Sequence, residues 1–476
     1  MDRLNYMETV ENYKKIESRD YGEVCDSLKK SLLANAAKLI VLDDDPTGIQ
    51  AVHDVCVYTD WSEKSIVSGF RRPETMFYIL TNSRAMSELE TYALHKEIAA
   101  RVVKISKELQ MDFMLISRAD STLRGHYPLE TMTLRQMLEA AGDRQVAGEI
   151  LVPYFYAGGR FTIQNIHYVK SGEQLIPAGE TEFAQDKTFG YNSSNLCDYI
   201  EEKTKGAYSA KDVTCISLES LRRCEMEKVT EQLLQVHDFG KVIVNALSKR
   251  DLIVFCAALY RAVEKGKFFL FRTAADFVKV FGGITDKELL SKNELITKSN
   301  GRGGIVIIGS HTEKTTSQLQ ELKKNRELCF MEFQSDLVVD NKLDEEVKRV
   351  VSWSEECILD GRTAVIYTNR KLLTFADDTK EAALQRSVRI SAAVSRLVGD
   401  LSVEPAFVVA KGGITSSDIG VKALSVKEAY VLGQIQPGIP VWKTDDASRF
   451  PGIPYVIFPG NVGEIDTLKK VVEILL

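Results

Sequence analysis

The feature that most constrains this chain is a recurring one: a short apolar run stops abruptly at a cluster of charged and hydroxylated residues, and a helical pattern follows. Residues 38–42 run into Asp43-Asp44-Asp45-Pro46-Thr47-Gly48. Met76–Leu80 runs into Thr81-Asn82-Ser83-Arg84, and residues 113–116 into Ser117-Arg118-Ala119-Asp120. A fourth run, 149–152, ends at Pro153. Strand, polar turn, helix, strand is the order that builds a parallel sheet with crossover helices. The polar clusters then fall at the C-terminal ends of the strands, the edge where open α/β sheets bind ligands. Three clusters at three such ends predict one shared crevice.

A single core stops growing at about 250–300 residues, so the 476 residues imply two domains. Strand-like runs resume at 213–217, 241–245 and 268–271. Residues 283–303 carry mixed charges and lead into Asn300-Gly301-Arg302-Gly303-Gly304, which reads as a linker. A second strand–helix series opens at Ile305–Ile308 and continues at 328–332, 363–367, 405–410, 440–442 and 455–458. The pattern predicts a long helix over 378–398 with Asp378 as its cap. The expected fold is therefore α/β with two domains, each a mostly parallel sheet flanked by helices, and a ligand cleft between them. The expected divisions are a helical extension over 1–37, split near Tyr21-Gly22, then domains over 38–290 and 291–476. Residues 153–192, rich in Gly, Tyr, Phe and Thr, read as an antiparallel excursion. Within it, Gly158-Gly159-Arg160 and residues 183–191 are candidates for a flap.

Several functional classes are disfavoured. A net charge of −6 offers no basic face for nucleic acid. No run of 18 apolar residues is present, so no membrane span is expected. The first twenty residues mix charges of both signs, unlike a signal peptide, and a cytoplasmic protein is expected. Eight cysteines without a CxxC pair, and six scattered histidines, point to no metal site and no disulfide framework. The sequence leaves a homo-oligomer open.

Three adjacent carboxylates at 43–45 repel one another, so a fold that gathers them needs a cation or donors nearby. They read either as a group accepting a proton from a ligand hydroxyl or as an Asp-rich turn capping a helix. In Asp120-Ser121-Thr122-Leu123-Arg124-Gly125 and the preceding Arg118, two arginines six apart suit bidentate capture of a carboxylate. A surface ion cluster is the plainer reading. Arg84, with Ser83, gains interest only if it joins them. Further along, Gly309-Ser310-His311-Thr312 and Lys411-Gly412-Gly413-Ile414-Thr415 each follow a predicted strand. Glycines allow close backbone approach, and free N–H groups at a helix start attract anions. No GK[ST] ending makes either a Walker loop. Two late glycine turns, Gly433 to Gly438 and 458–463, complete the set. His53, His126, His167 and His311 lie near these segments and read as structural, as do Tyr154, Tyr156, Tyr168 and Tyr191.

Taken in order, Asp44-Asp45-Pro46-Thr47-Gly48, Asp120 to Gly125, Gly309-Ser310, Lys411-Gly412-Gly413 and Pro459-Gly460-Asn461 resemble the four-carbon acid sugar kinases, long catalogued as a domain of unknown function. The likeness runs from Lys38 to the end of the chain. Pro46 before the threonine, and Ser117-Arg118 where lysine is commoner, mark a divergent subgroup. The resemblance implies a sugar-acid-binding domain, then a nucleotide-binding domain, and phosphoryl transfer from ATP, with Mg2+ accompanying the nucleotide. With that chemistry, the charges at the strand end make Asp44 or Asp45 the expected group to take the hydroxyl's proton or orient it. The same reading assigns the small carboxylated sugar to Thr47, Gly48, Ser83, Arg84, Arg118, Asp120, Ser121 and Arg124, with the three arginines on its carboxylate. The nucleotide falls to Ser310, Thr312, Lys411, Gly412, Gly413, Thr415, Gly433, Gly460 and Asn461. Two rivals stay open: an NAD-dependent hydroxy-acid oxidoreductase, disfavoured by the lack of a G-x-G-x-x-G strand–helix turn, and a non-catalytic sugar-acid and nucleotide sensor.

Overall fold

The apolar runs become strands because both faces of the sheet are covered. Every residue is buried in Lys38–Asp43 (β1), Met76–Leu80 (β2) and Phe113–Arg118 (β3). That is why these strands read as continuous hydrophobic runs and do not alternate. Gly148–Val152 (β4), Thr214–Ile216 (β5), Gly240–Val244 (β6) and Phe269–Thr273 (β7) complete a parallel sheet in the order β5-β6-β4-β7-β3-β1-β2. The structure is a computed structural model and describes residues 2–45, 48–142, 144–297, 300–370, 373, 379–460 and 462–476.

The chain divides into two compact units, Met1–Ala51 with Asp60–Asp286, and Val52–Thr59 with Lys287–Leu476. In the first, a small antiparallel sheet joins Leu4–Asn5, Gln174–Pro177, Ile166–Ser171 and Arg160–Ile163. The start of the chain is thus a strand of this sheet before it turns into the helices Tyr6–Lys14 and Tyr21–Ala34. The break between those helices falls at 15–20, and Tyr21 opens the second.

The second unit holds Ile305–Ile308 (β8), Cys329–Phe333 (β9), Ala364–Thr368 (β10), Val408–Lys411 (β11), Glu428–Gln436 (β12), Ile439–Thr444 (β13) and Pro454–Phe458 (β14). The order is β12-β13-β14-β11-β8-β10-β9, parallel from β14 to β9 and antiparallel at the β12–β13–β14 end. Val55–Tyr58, distant in sequence, adds an antiparallel strand on the free side of β12. Leu290 and Leu295, expected in a linker, are buried in this unit's core with Val306, Val409, Val456 and Phe458. Gly433, expected in a turn, lies inside β12, at a bulge with φ 137°. The long helix spans Lys380–Gly399 and its cap is Thr379, whose side chain accepts from the Ala382 amide. Asp378 lies outside the described residues. Among the described residues, no helix is long and apolar enough to cross a membrane.

Candidate functional site

In the first unit β2, β1 and β3 are neighbours, so their three C-terminal turns meet. Asp43 is the last residue of β1 and Arg118 the last of β3, in register with each other. Both are buried, and Arg118 Nη1 lies 3.3 Å from Asp43 Oδ1 and 3.7 Å from Asp44 Oδ1. Arg84, from the turn after β2, bridges three acids: Asp44 at 3.1 Å, Asp45 at 2.8 Å and Asp120 at 3.4 Å. Arg124 Nε donates to Asp120 at 2.8 Å. Asp44, Asp45, Arg84, Arg118, Asp120 and Arg124 therefore form one ion cluster. Its accessible rim is Asp45, Arg84 and Arg124, whose side chains are 25%, 20% and 26% exposed.

Burial and charge set these groups apart. Burial pushes Asp43 up to about 7 even though Arg118 opposes it, and pushes Asp44 up to about 6 against Arg84 and Arg118. For Asp120, burial acts in the same direction, yet Arg84 and Arg124 outweigh it and hold the carboxyl below its ordinary range. One oxygen of Asp43 and one of Asp44 are buried without a hydrogen-bond partner among the described residues.

The loop 120–125 is fixed from beneath. Four successive carbonyls accept from buried side chains: Ser121 O from His167 Nε2 at 2.8 Å, Thr122 O from the Tyr191 hydroxyl at 2.9 Å, Leu123 O from the Tyr199 hydroxyl at 2.9 Å, and Arg124 O from Arg272 Nη2 at 2.9 Å. Leu123, at φ 70°, is held in the left-handed region by this set and by packing against Tyr127, Tyr191 and Tyr199. Such a conformation in a branched residue persists only where surroundings over-determine it, and it gathers at ligand sites. With the carbonyls drawn inward, the amides of Ser121, Thr122, Arg124 and Gly125 meet no acceptor among the described residues. The Leu123 amide between them closes the turn onto Asp120 O at 3.1 Å, and two pairs of adjacent amides presented in this way suit an anion.

In the second unit β14, β11 and β8 are adjacent, and the loops after them meet in the same way. Thr312 Oγ1 and Thr315 Oγ1 donate to Gly460 O at 3.1 and 3.0 Å, and Thr315 Oγ1 lies 3.1 Å from Ser310 Oγ. Lys411 is buried. Its Nζ donates to Pro459 O at 2.7 Å and Gly460 O at 3.3 Å, and burial pulls it down to about 7, with Lys314 adding to the effect. Gly412 has φ 129°, and a Cβ there would meet Ser310 at 3.2 Å. A Cβ on Gly460 would lie 3.0 Å from Ser310 Oγ. Both glycines are needed for loops packed this closely. The helix Gly413–Asp418 opens on this cradle, and its first amides have no intrahelical acceptor.

Not every expected residue sits on these surfaces. Thr47 and Asn461, with Pro46, lie outside the described residues. Arg118 is only 5% exposed and engaged by two acids, so it shapes the cluster from beneath. Ser83 is buried, its hydroxyl donating to Glu130 at 2.8 Å. Gly48 is packed against the Asp43 carboxylate. Gly433 faces Leu290 and Lys287, away from the Ser310–Gly412–Gly460 cradle. Sequence reasoning passed over Glu130, which pairs with Arg272 at 2.6 Å, and Arg370, whose Nη2 donates to Ser310 O at 2.6 Å. Arg370 follows β10 as the other candidates follow their strands, and that placement was the available signal. A cavity of about 820 Å³ in the first unit, bounded by Asn35, Asp112, Arg144 and Phe268, opens at the opposite, N-terminal edge of the strands. The convergent donors lie at the other edge, where such sheets bind ligands.

Residues 39–281 match the family model of a sugar-binding N-terminal domain, and residues 305–468 that of a nucleotide-binding C-terminal domain. Two solved structures share the fold. A Salmonella typhimurium LT2 protein provisionally named a tRNA synthase is 14% identical, with a TM-score of 0.67 over 91% of this chain and 98% of its own. A Haemophilus influenzae protein of the DUF1537 family, HI1011, is 16% identical, with a TM-score of 0.61 over 92% of this chain and 100% of its own. At these identities the likeness is one of fold. No curated protein matches the sequence significantly.

Proposed function

The chain belongs to the family built from a sugar-binding N-terminal domain and a nucleotide-binding C-terminal domain, and from that premise we propose that it is an ATP-dependent kinase acting on a hydroxyl of a small sugar acid of the four-carbon size. The observation that carries the reading is the loop 120–125, with the carbonyls of 121–124 tied inward and the amides of Ser121, Thr122, Arg124 and Gly125 without an acceptor among the described residues, beside Asp45, Arg84 and Arg124. Free amides and guanidinium groups recognise a carboxylate and neighbouring hydroxyls, and a carboxylate beside them accepts a proton. Asp45 is the accessible acid of the cluster and takes the role of base. Asp44 and Arg118 hold the charge around it.

In the second unit, Ser310, Thr312, Gly412 and the first amides of Gly413–Asp418 suit the phosphates of a nucleotide. Lys411 holds the carbonyls of Pro459 and Gly460 away from them. Magnesium carried by ATP neutralises the phosphate oxygens. Phosphoryl transfer asks little covalent chemistry of the protein beyond alignment and charge placement.

The test is ADP release by the purified protein with magnesium and ATP, against a panel of three- to six-carbon sugar acids. Release that depends on one acid supports the kinase and names its substrate. Nucleotide binding without turnover on any acid favours a sensor. No nucleotide binding at all overturns the proposal.

A further inference from the structure

Five arginines stand in or around the first unit's ion cluster. Arg84, Arg118, Arg124 and Arg272 each have a carboxylate within 4 Å. Arg160 has none among the described residues, and its Nε is buried without a hydrogen-bond partner. Its position is nonetheless fixed. Its backbone pairs with Phe155 in both directions, at 2.9 and 3.1 Å, where the strand Arg160–Ile163 begins. Its guanidinium lies 5.4 Å from the centre of the Phe183 ring, and that of Arg124 lies 5.1 Å from the same ring. Phe183 packs on the cluster of Leu123, Tyr191 and Tyr199 that supports the loop 120–125. Two guanidinium groups are thus held at one aromatic ring. Arg124 is already bound to Asp120. A half-buried guanidinium carries a desolvation cost that only an anion or several acceptors offset. That burial pulls Arg160 below its ordinary range, with the Asp120 charge opposing and Arg124 reinforcing the effect.

We infer that Arg160, alongside Arg124 at Phe183, receives the carboxylate of the substrate and thereby sets the preference for sugar acids over neutral sugars. The inference rests on reading the first unit as the sugar-acid site. It moves the principal carboxylate contact from Arg84 and Arg118, which keep an unpartnered Nε but already have protein carboxylates within 4 Å, to the guanidinium that has no carboxylate that close among the described residues. Arg84 is left to orient Asp45 and Asp120.

The experiment compares wild type, Arg160→Gln and Arg160→Lys on the best acid of the panel and on the neutral alditol of the same carbon number. Turnover is read as ADP release and binding by calorimetry in the absence of ATP, with circular dichroism and melting temperature checking each fold. A charge-assisted bidentate contact predicts a KM for the acid raised about 10- to 100-fold in Arg160→Gln, with kcat changed far less. The alditol constants should stay within about twofold, and Arg160→Lys should recover part of the loss. An Arg160→Gln protein that folds normally and keeps wild-type KM and acid preference overturns the inference. If wild type turns over no acid yet binds one in an Arg160-dependent way, the kinase reading fails and this inference stands. If wild type binds no acid at all, both fail.

Discussion

Replacing Gly48 by alanine separates two roles for that residue. A Cβ built there lies 2.0 Å from both carboxylate oxygens of Asp43. Reaching the 3.4 Å of an ordinary contact requires a shift of about 1.4 Å. Asp43 has little room to retreat, because it is buried at the end of β1 and its Oδ1 is already 3.3 Å from Arg118 Nη1. If the carboxylate moves, a buried ion pair opens, at a cost of about 3–5 kcal/mol. If the backbone moves instead, overpacking costs about 1–3 kcal/mol. Either is a large share of the ~5–15 kcal/mol that keeps a typical domain folded. Gly48 is not in the left-handed region, so backbone strain adds nothing. Urea unfolding of Gly48→Ala should show a loss of about 1–5 kcal/mol, according to which of the two gives way. In an Asp43→Ala background, where the oxygens are gone, the same substitution should cost under ~1 kcal/mol, and the cycle isolates the coupling. Equal costs in both backgrounds, or an unchanged midpoint with a raised KM for the acid, would refute the reasoning and return Gly48 to a direct substrate contact.

Three further outcomes are expected. Asp45→Asn should lower kcat by about 10²- to 10⁴-fold while ATP affinity by calorimetry stays within about twofold, and near-normal turnover removes Asp45 from the base role. Lys411, held near 7 by burial, should be drawn towards its charged form by nucleotide phosphates. Binding should then take up protons at pH 8, and affinity should weaken as pH rises from 7 to 9; calorimetry in two buffers of different ionisation enthalpy reads the uptake, which should vanish in Lys411→Met. Asp43 is raised from 3.8 to about 7, so the folded state binds its proton more tightly than the unfolded state. The stabilisation this gives is present below about pH 4 and lost as pH rises towards 7, a swing of about 4 kcal/mol at ~1.36 kcal/mol per pH unit. The stability difference between wild type and Asp43→Asn, from urea unfolding at pH 4 to 8, should shrink with rising pH; a pH-independent difference contradicts the assignment.

What the sequence made legible, and what it hid, divides along one physical line. A strand covered on both faces must be apolar throughout, so β2, as Met-Phe-Tyr-Ile-Leu, and β8, as Ile-Val-Ile-Ile, declare themselves. β12 is half-covered, with burial alternating along Glu428–Gln436, and its glycine reads as a turn signal although it forms a bulge. Val55–Tyr58 is short, and its partner residues lie 370 to 376 positions away. The site follows the same logic. Acids and arginines at the ends of β1, β2 and β3 are local facts, and sheet order brings them together. The side chains that fix the loop 120–125 come from His167, Tyr191, Tyr199 and Arg272, 46 to 148 residues further on. Each is ordinary where it stands in the sequence. Nor can spacing say which arginine is free. Arg118 and Arg124 look alike in the motif, yet Arg118 ends a buried strand facing Asp43, while Arg124 reaches the rim. Arg160, outside every acidic cluster in the sequence, is the one of the five arginines in or around this cluster with no carboxylate within 4 Å among the described residues. Charge bookkeeping in three dimensions therefore redirects the assignment: the arginines nearest to acids in sequence are those already neutralised, and the one best able to bind an external carboxylate stands apart from them.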